Sequence, residues 1–283
     1  MAGSLTAATA SAYASDGYAF PIRAFAEAEI AECLARLQAA ETLVGGRMEG
    51  RTNQKPHLLF PWIDQLVRDR RILDAVESVL GPDILCWGSQ FFMKGAGDPA
   101  FVSWHQDGNY WGLSSNDVVT AWVAFTPSVP ESGCMRVVPR SHLSQIPHTD
   151  TFGKDNLLSR GQEVAVEVDE KDAVDIVLQP GDMSLHHVLI VHGSKPNRAA
   201  WPRIGFAIRY VPTRMRQLDG GRISALLVSG SDRLGHFDPE LPPEGDMHPD
   251  AVARHAAILD RQLKTLYAGA AEVGKLGATI AAG

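Results

Sequence analysis

Between Ile84 and Thr213 the chain is cut into short runs: "ILCWGSQFFMKG", "VVTAWVAFT", "MRVVPRSH", "QEVAVEV", "DMSLHHVLIVHGS" and "RIGFAIRYVPT". Each is rich in β-branched and aromatic residues, and turn signals such as "GAGDP", "VPESG", "QPGD" and "KPN" separate them. Six such runs in about 130 residues predict an antiparallel sandwich or barrel. Helical patterns flank them. "AEAEIAECLARLQAAETLV" spaces Ile30, Cys33, Leu34 and Leu37 as a buried stripe. "IDQLVRDRRILDAVESVLG" predicts a second helix ending at Gly81, before Pro82. Ahead of both, "DGYAFPIRAF" reads as a turn and a short strand, and residues 1–15, rich in Ala, Ser and Thr, predict a loosely attached, mobile arm.

After Thr213 the pattern loosens into a long polar loop, "SGSDRLGHFDPELPPEGDMHPD", and a final helix runs from near Pro249 to about residue 272. Nothing reads as a linker. The expectation is one domain over 1–283, α+β, with a mainly β core at about 84–213 and helices at both ends of the sequence.

Composition narrows the function. A net charge of −7 and the absence of a long basic run argue against nucleic acid or an acidic membrane surface as partner. The three cysteines, Cys33, Cys86 and Cys134, are far apart and form no C-x-x-C pair, which argues against a disulfide framework and fits a reducing cytoplasm. The first residues lack the basic and apolar regions of a signal peptide.

The chemistry is concentrated in "SWHQDGNYWG". On a strand, residues i and i+2 share a face, so His105 and Asp107 should project together while Gln106 points away. An imidazole with a carboxylate suits iron, manganese or zinc, but two ligands make a weak site. His192, about 90 residues on and at the end of an apolar run in which His186, Val188, Ile190 and His192 alternate to one face, is the candidate third. Two histidines and one carboxylate form the facial triad of non-haem Fe(II) oxygenases, which leaves coordination positions open. Eleven residues beyond His192 comes Arg203, and alternation places Arg203, Gly205, Ala207 and Arg209 on one face, opposite bulky Ile204, Phe206, Ile208 and Tyr210. Two guanidiniums separated by small residues suit the floor of an anion site, and the Ser194 hydroxyl could assist.

Taken together, "WHQD", "AWVAF", "ESGCMRVVPRSH", "LQPGDMSLHHVLIVHGS" and the Arg203 strand resemble the phytanoyl-CoA dioxygenase family of Fe(II)/2-oxoglutarate oxygenases, over nearly the whole chain. The resemblance implies a double-stranded β-helix, the cupin-like jelly roll, with helices packed outside. It implies His105, Asp107 and His192 as iron ligands, Arg203 on the distal carboxylate of 2-oxoglutarate with Ser194 assisting, and Gln90 and Trp122 lining the cosubstrate pocket. It also implies Fe(II), 2-oxoglutarate and O2 as reactants, with succinate and CO2 released, and no catalytic side chain beyond the metal site. Halogenating relatives carry Ala or Gly where this chain has Asp107, so the carboxylate points to hydroxylation.

For the substrate, Asn109, Tyr110 and Trp111 follow the ligands directly, and Arg209 shares the Arg203 face. Arg51, Lys55 and His57 in "GRTNQKPHLLFPW" are further candidates for an anionic group. No basic groove long enough for an acyl-CoA is evident, so a small polar metabolite, such as an amino acid, amine or phosphonate, is expected. Two alternatives share part of the pattern. A cupin-like metal-dependent isomerase would keep the three ligands but have no use for Arg203 and Ser194, and a noncatalytic β-sandwich binding module would bind neither iron nor a 2-oxo acid. Oligomeric state is not legible.

Overall fold

The computed structural model describes residues 7–151, 155–158, 162–165, 168–218 and 221–266. In chain order the elements are α1 (Ala7–Asp16), β1 (Tyr18–Arg23), α2 (Glu27–Val44), α3 (Pro61–Val67), α4 (Arg70–Leu80), β2 (Ile84–Lys94), β3 (Val102–His105), β4 (Val119–Ala124) and β5 (Met135–Val138). There follow β6 (His148–Asp150), β7 (Gln162–Val164), β8 (Val174–Asp175), β9 (Asp182–His187), β10 (Val191–Ser194), β11 (Arg203–Pro212), β12 (Ser224–Ser229), β13 (Asp238–Pro239) and α5 (Pro249–Leu266).

A seven-stranded sheet, ordered β1-β9-β4-β11-β2-β12-β13, accompanies a four-stranded sheet, β3-β10-β5-β8, while β6 and β7 pair alone. All the pairings except β12 with β13 are antiparallel. This is the mainly β, jelly-roll architecture expected, but the sheet reaches beyond 84–213. It takes β1 from the N-terminal side as one edge, and β12 from the "ISALLVS" run, which is too short to stand out beside the polar loop that follows it.

The helices cover one face of the larger sheet. Phe60, Ile63, Val67, Ile72, Leu73 and Val76 pack with Phe91, Val123, Phe206, Ile208 and Tyr210 in one core, and the Tyr210 hydroxyl donates to the Val67 carbonyl at 2.9 Å. The predicted second helix is two. Asp69 ends α3 and caps α4, its carboxylate accepting from the Arg71 backbone N–H at 2.9 Å, and a capping side chain favours a fresh start over continuation. The Ala/Ser/Thr-rich N-terminus also departs from expectation. Residues 1–6 lie outside the described residues, but Ala7–Asp16 form α1, pinned by Tyr13, which is buried in the main core. In α2 the predicted stripe is deepest at Ile30 and Leu37, with Cys33 and Leu34 only partly buried. Residues 267–272 of the predicted final helix lie outside the described residues. Among the described residues no helix is long and apolar enough to cross a membrane.

With helices on one side, the other face of the larger sheet is left toward the smaller sheet. Trp122, Ala124 and Ala207 meet Met135, Val137 and Ile190 there, and the polar side chains described next lie in the same layer.

Candidate active site

In the smaller sheet β3 and β10 run antiparallel, with His105 and His192 as direct register partners and ring centroids 4.1 Å apart. Each ring is tied to its own strand. His105 Nδ1 lies 2.9 Å from the Ser103 carbonyl, and His192 Nδ1 lies 2.9 Å from the Ile190 carbonyl. A carbonyl can only accept, so both Nδ1 atoms carry the proton and both Nε2 atoms keep a free lone pair. That is the tautomer a metal-ligating imidazole requires.

Asp107 arrives by a different route from the one alternation suggests. β3 ends at His105, and Asp107 opens a short 3-10 turn through Tyr110. Gly108 follows it in close quarters, where a Cβ would lie 3.1 Å from the movable end of the Leu189 side chain. The carboxylate nevertheless reaches 3.4 Å from His105 Nε2, and one ligand atom from each of His105, Asp107 and His192 falls within 4.8 Å of the others. Among the described residues no other group of three such side chains comes together this way. Gln106 does point away: its amide donates to the Ser144 and Leu189 carbonyls at 2.8 and 2.6 Å, which fixes the strand end.

Charge favours a cation. Burial raises the affinity of the Asp107 carboxyl for a proton, but its contact with His105 and its closeness to His192 and Arg209 prevail and hold it well below the usual carboxylate range. Burial, and then proximity to His105, push His192 well below its ordinary value. An ionised carboxylate and two imidazoles whose Nδ1 atoms are held by main-chain carbonyls fit a divalent iron ion.

The run from His186 to His192 is not one strand. It turns at Val188–Ile190, so that β9 lies in the larger sheet and β10 in the smaller. His186 is nonetheless brought back against the site, its ring centroid 5.0 Å from that of His192, with a buried Nδ1 that has no partner.

The inner face of the larger sheet forms the opposite wall. Register sets Lys94, Phe92 and Gln90 of β2 across from Arg203, Gly205 and Ala207 of β11, and Trp122 and Thr120 of β4 across from Ala207 and Arg209. Gly205 matters because of Trp122. A Cβ at Gly205 would stand 1.8 Å from the indole Cζ2, so only glycine lets the ring lie over the strand. Arg203 is 2 % exposed and sits 5.5 Å from the Trp122 ring. Its Nε has no partner and no described carboxylate lies within 4 Å, so a buried guanidinium stands without a counter-ion. Burial lowers its pKa to about 10. Arg209 stands between Trp111 and Phe92, 5.4 and 6.0 Å from their rings, also with an unpartnered Nε.

Two cavities meet here. One of about 50 Å³ is bounded by the His105–Asp107–His192 group, Trp122, Ser194 and Arg203. A larger one of about 540 Å³ is lined by Gln90, Trp87, Trp111 and Gln217 among others. Asp107, Phe92 and Arg209 line both.

Of the sequence candidates for substrate contact, Trp111, Arg209 and Lys55 line the larger cavity, while the side chains of Asn109 and Tyr110 lie outside the described residues. His57 is not at the site. It is wholly buried, 2.6 Å from the Ser89 hydroxyl and 3.5 Å from Glu240 Oε2. The Lys55 ammonium is bonded to Glu240 and to the Ser224 carbonyl at 3.0 Å, and Arg51 to Asp260 at 2.8 Å. These cations are already neutralised by acids about 200 positions away, partners that linear sequence does not reveal. Lys94, Phe92 and Thr120 were not singled out. The signal for the first two was the alternation that places Gln90, Phe92 and Lys94 on one face of β2.

A family model described as "Phytanoyl-CoA dioxygenase (PhyH)" matches residues 13–205. A structure titled "non-heme monooxygenase; ThoJ apo" is 36% identical, covers 92% of this chain and 98% of its own, and has a TM-score of 0.82. The "Probable alpha-ketoglutarate-dependent hypophosphite dioxygenase" of Stutzerimonas stutzeri is 29% identical over 198 residues, 67% of this chain and 68% of that protein. "CytC3 with Fe(II) and alpha-ketoglutarate" is alike in fold, at 24% identity, covering 83% and 93% of the two chains with a TM-score of 0.62.

Proposed function

The chain belongs to the phytanoyl-CoA dioxygenase family and is an Fe(II)- and 2-oxoglutarate-dependent dioxygenase, and from that premise we propose that it hydroxylates a C–H bond of a small polar metabolite bearing an anionic group. In this reading His105, Asp107 and His192 hold the iron. Arg203 takes the distal carboxylate of 2-oxoglutarate with the Ser194 hydroxyl, and Trp122 walls the cosubstrate in, whereas Gln90, expected beside it, lines the larger cavity instead. The observation that carries it is the meeting of two free imidazole lone pairs and an ionised carboxylate beside a buried guanidinium with no counter-ion. The isomerase and binding-module alternatives leave that guanidinium unpaired, which a buried charge does not tolerate cheaply.

When bound, iron, 2-oxoglutarate and O2 together supply the oxidising power, and the cosubstrate leaves as succinate and CO2. The protein's own residues do the rest. The Ser103 and Ile190 carbonyls fix both imidazoles, so neither ring must reorient to ligate. Asp107 remains anionic and, as a ligand, would fill the position a halide would need, which supports hydroxylation over halogenation. Trp122 and Phe92 add aromatic surface to the small cavity beside Arg203, and a less polar setting would strengthen the Arg203–carboxylate contact.

The substrate would lie in the larger cavity, whose volume suits a metabolite. Arg209, at the junction of the two cavities, would take its anionic group. Trp87 and Gln217 line the same larger cavity. The relative named for hypophosphite acts, by that name, on a small oxyanion, and this accords with a compact anionic substrate. Incubating the Fe(II)-loaded enzyme with 2-oxoglutarate and a panel of amino acids, amines and phosphonates tests the reading. Succinate release should rise with an anionic member and its hydroxylated product should appear; stimulation by uncharged or cationic compounds alone would exclude the role given to Arg209.

A further inference from the structure

Lys94 ends β2 directly across from Arg203, on the same face of the sheet, and the chemistry above gives it no task. It is 0% exposed. Its Nζ donates to the Ser194 Oγ at 2.7 Å and to the Lys195 carbonyl at 2.5 Å. Two basic side chains thus lie side by side in the interior, and among the described residues neither has a carboxylate within 4 Å. Asp98, in the turn after β2, spends its oxygens on the Gly95 and Ala100 backbone N–H groups. The other groups around Lys94 are the Cys134 thiol and Lys195, whose ammonium is turned away to Glu170 at 2.7 Å.

We propose that Lys94 is a positioning residue for the dicarboxylate cosubstrate: it holds the Ser194 hydroxyl as a donor toward the pocket and provides, by taking up a proton on binding, a second positive charge behind Arg203. The proposal rests on the assignment of Arg203 and Ser194 to 2-oxoglutarate. A serine hydroxyl has one proton to give. With its oxygen already accepting from Lys94, that proton is left for an incoming carboxylate. The two Nζ contacts need only two N–H groups, so a neutral amine satisfies them as well as an ammonium does. Burial, and then the charge of Arg203, lower the Lys94 pKa to about 6, so near neutral pH the amine of the empty pocket is mostly uncharged. A carboxylate on Arg203 and Ser194 cancels that repulsion and favours the ammonium. Cosubstrate binding should therefore draw in up to one proton. Its affinity should weaken as pH rises above about 6, where the free enzyme has lost the proton that the complex retains.

Anaerobic calorimetry of 2-oxoglutarate binding to the Fe(II)-loaded enzyme tests this, run at pH 7.5 in phosphate and in Tris, whose ionisation enthalpies differ. The wild type should take up a proton, and Lys94→Met should take up none and bind roughly 10-fold more weakly, the effect of losing one charge-assisted contact. Iron affinity should be unchanged, because Lys94 touches no metal-site residue. The wild type alone, titrated from pH 6 to 8.5, should show the weakening without any variant. Equal proton uptake in Lys94→Met, equal affinity, or a flat wild-type profile overturns the proposal. Arg203→Ala separates the two levels of the argument. If it destroys 2-oxoglutarate binding while Lys94→Met changes nothing, only the role of Lys94 fails; if it leaves binding intact, the assignment of the pocket fails as well.

Discussion

His105 and His192 face each other as direct partners across two antiparallel strands, and each gives its Nδ1 proton to a backbone carbonyl two residues before it. The pair is therefore set in the ligating tautomer by main chain that no substitution can remove. Replacing either histidine by alanine should lower affinity for Fe(II) or Mn(II) by more than about 100-fold, since even indirect supports of metal ligands are worth 10- to 100-fold. Asp107→Ala should abolish substrate-dependent hydroxylation with the far-ultraviolet circular dichroism unchanged. Full hydroxylase activity in that variant would remove Asp107 from the metal centre.

Arg203→Ala should weaken 2-oxoglutarate roughly 30-fold to several-thousandfold, because a charge-assisted bidentate contact in a dry pocket is worth about 2–5 kcal/mol. Arg203→Lys should recover only part of this, as an ammonium cannot form the fork. Arg209→Ala should act mainly on the prime substrate. If Arg209, and not Arg203, governs cosubstrate affinity in direct binding measurements, the two roles are exchanged.

Much of this was legible in the sequence because strand alternation is a strict rule. Arg203, Gly205, Ala207 and Arg209 do share the face turned from the helices, and Ile204, Phe206 and Ile208 pack on the other side. The same rule misleads where strands stop. Asp107 stands on a 3-10 turn and not on β3, and the His186–His192 run bends from one sheet into the other. His57 was misread for another reason. Its surroundings are set by Glu240, and a buried ion pair made by residues so distant in sequence leaves no local mark. Lys94 escaped for a similar reason, since its depth depends on β11 and β10 closing over it.

Gly205 and Trp122 should be energetically coupled. Gly205→Ala puts a methyl into the indole and should cost about 1–3 kcal/mol of stability. In a Trp122→Leu background, where the ring is gone, the same substitution should cost much less. Additive losses in urea melts of the four proteins would show that the ring does not depend on the glycine.

Acid should loosen the seam between the "GRTNQKPH" segment and β12. At Glu240 burial works to raise the pKa, but the Lys55 charge and the His57 hydrogen bond outweigh it and bring it down to about 2. The folded value lies below the ordinary 4.5, so this stabilisation is complete above pH 4.5 and lost as pH falls toward 2. His255, lowered by burial to about 4 from 6.5, acts in the same direction between those values. Glu240→Gln should cost about 3–5 kcal/mol at neutral pH by leaving Lys55 buried without its partner. It should also flatten the decline between pH 4.5 and 2.5, as followed by urea midpoints. Parallel curves for the two proteins would contradict this.

The account turns on iron and 2-oxoglutarate meeting at His105, Asp107, His192 and Arg203, and anaerobic visible spectroscopy reads that meeting directly. Fe(II) and 2-oxoglutarate added together, but neither alone, should give the weak metal-to-ligand charge-transfer band of the chelate, saturating at one equivalent of iron. His192→Ala should lose the band, and Arg203→Ala should need at least about 30 times more 2-oxoglutarate to reach it. A folded wild type that gives no band, or a band indifferent to both substitutions, would contradict the assignment of this site.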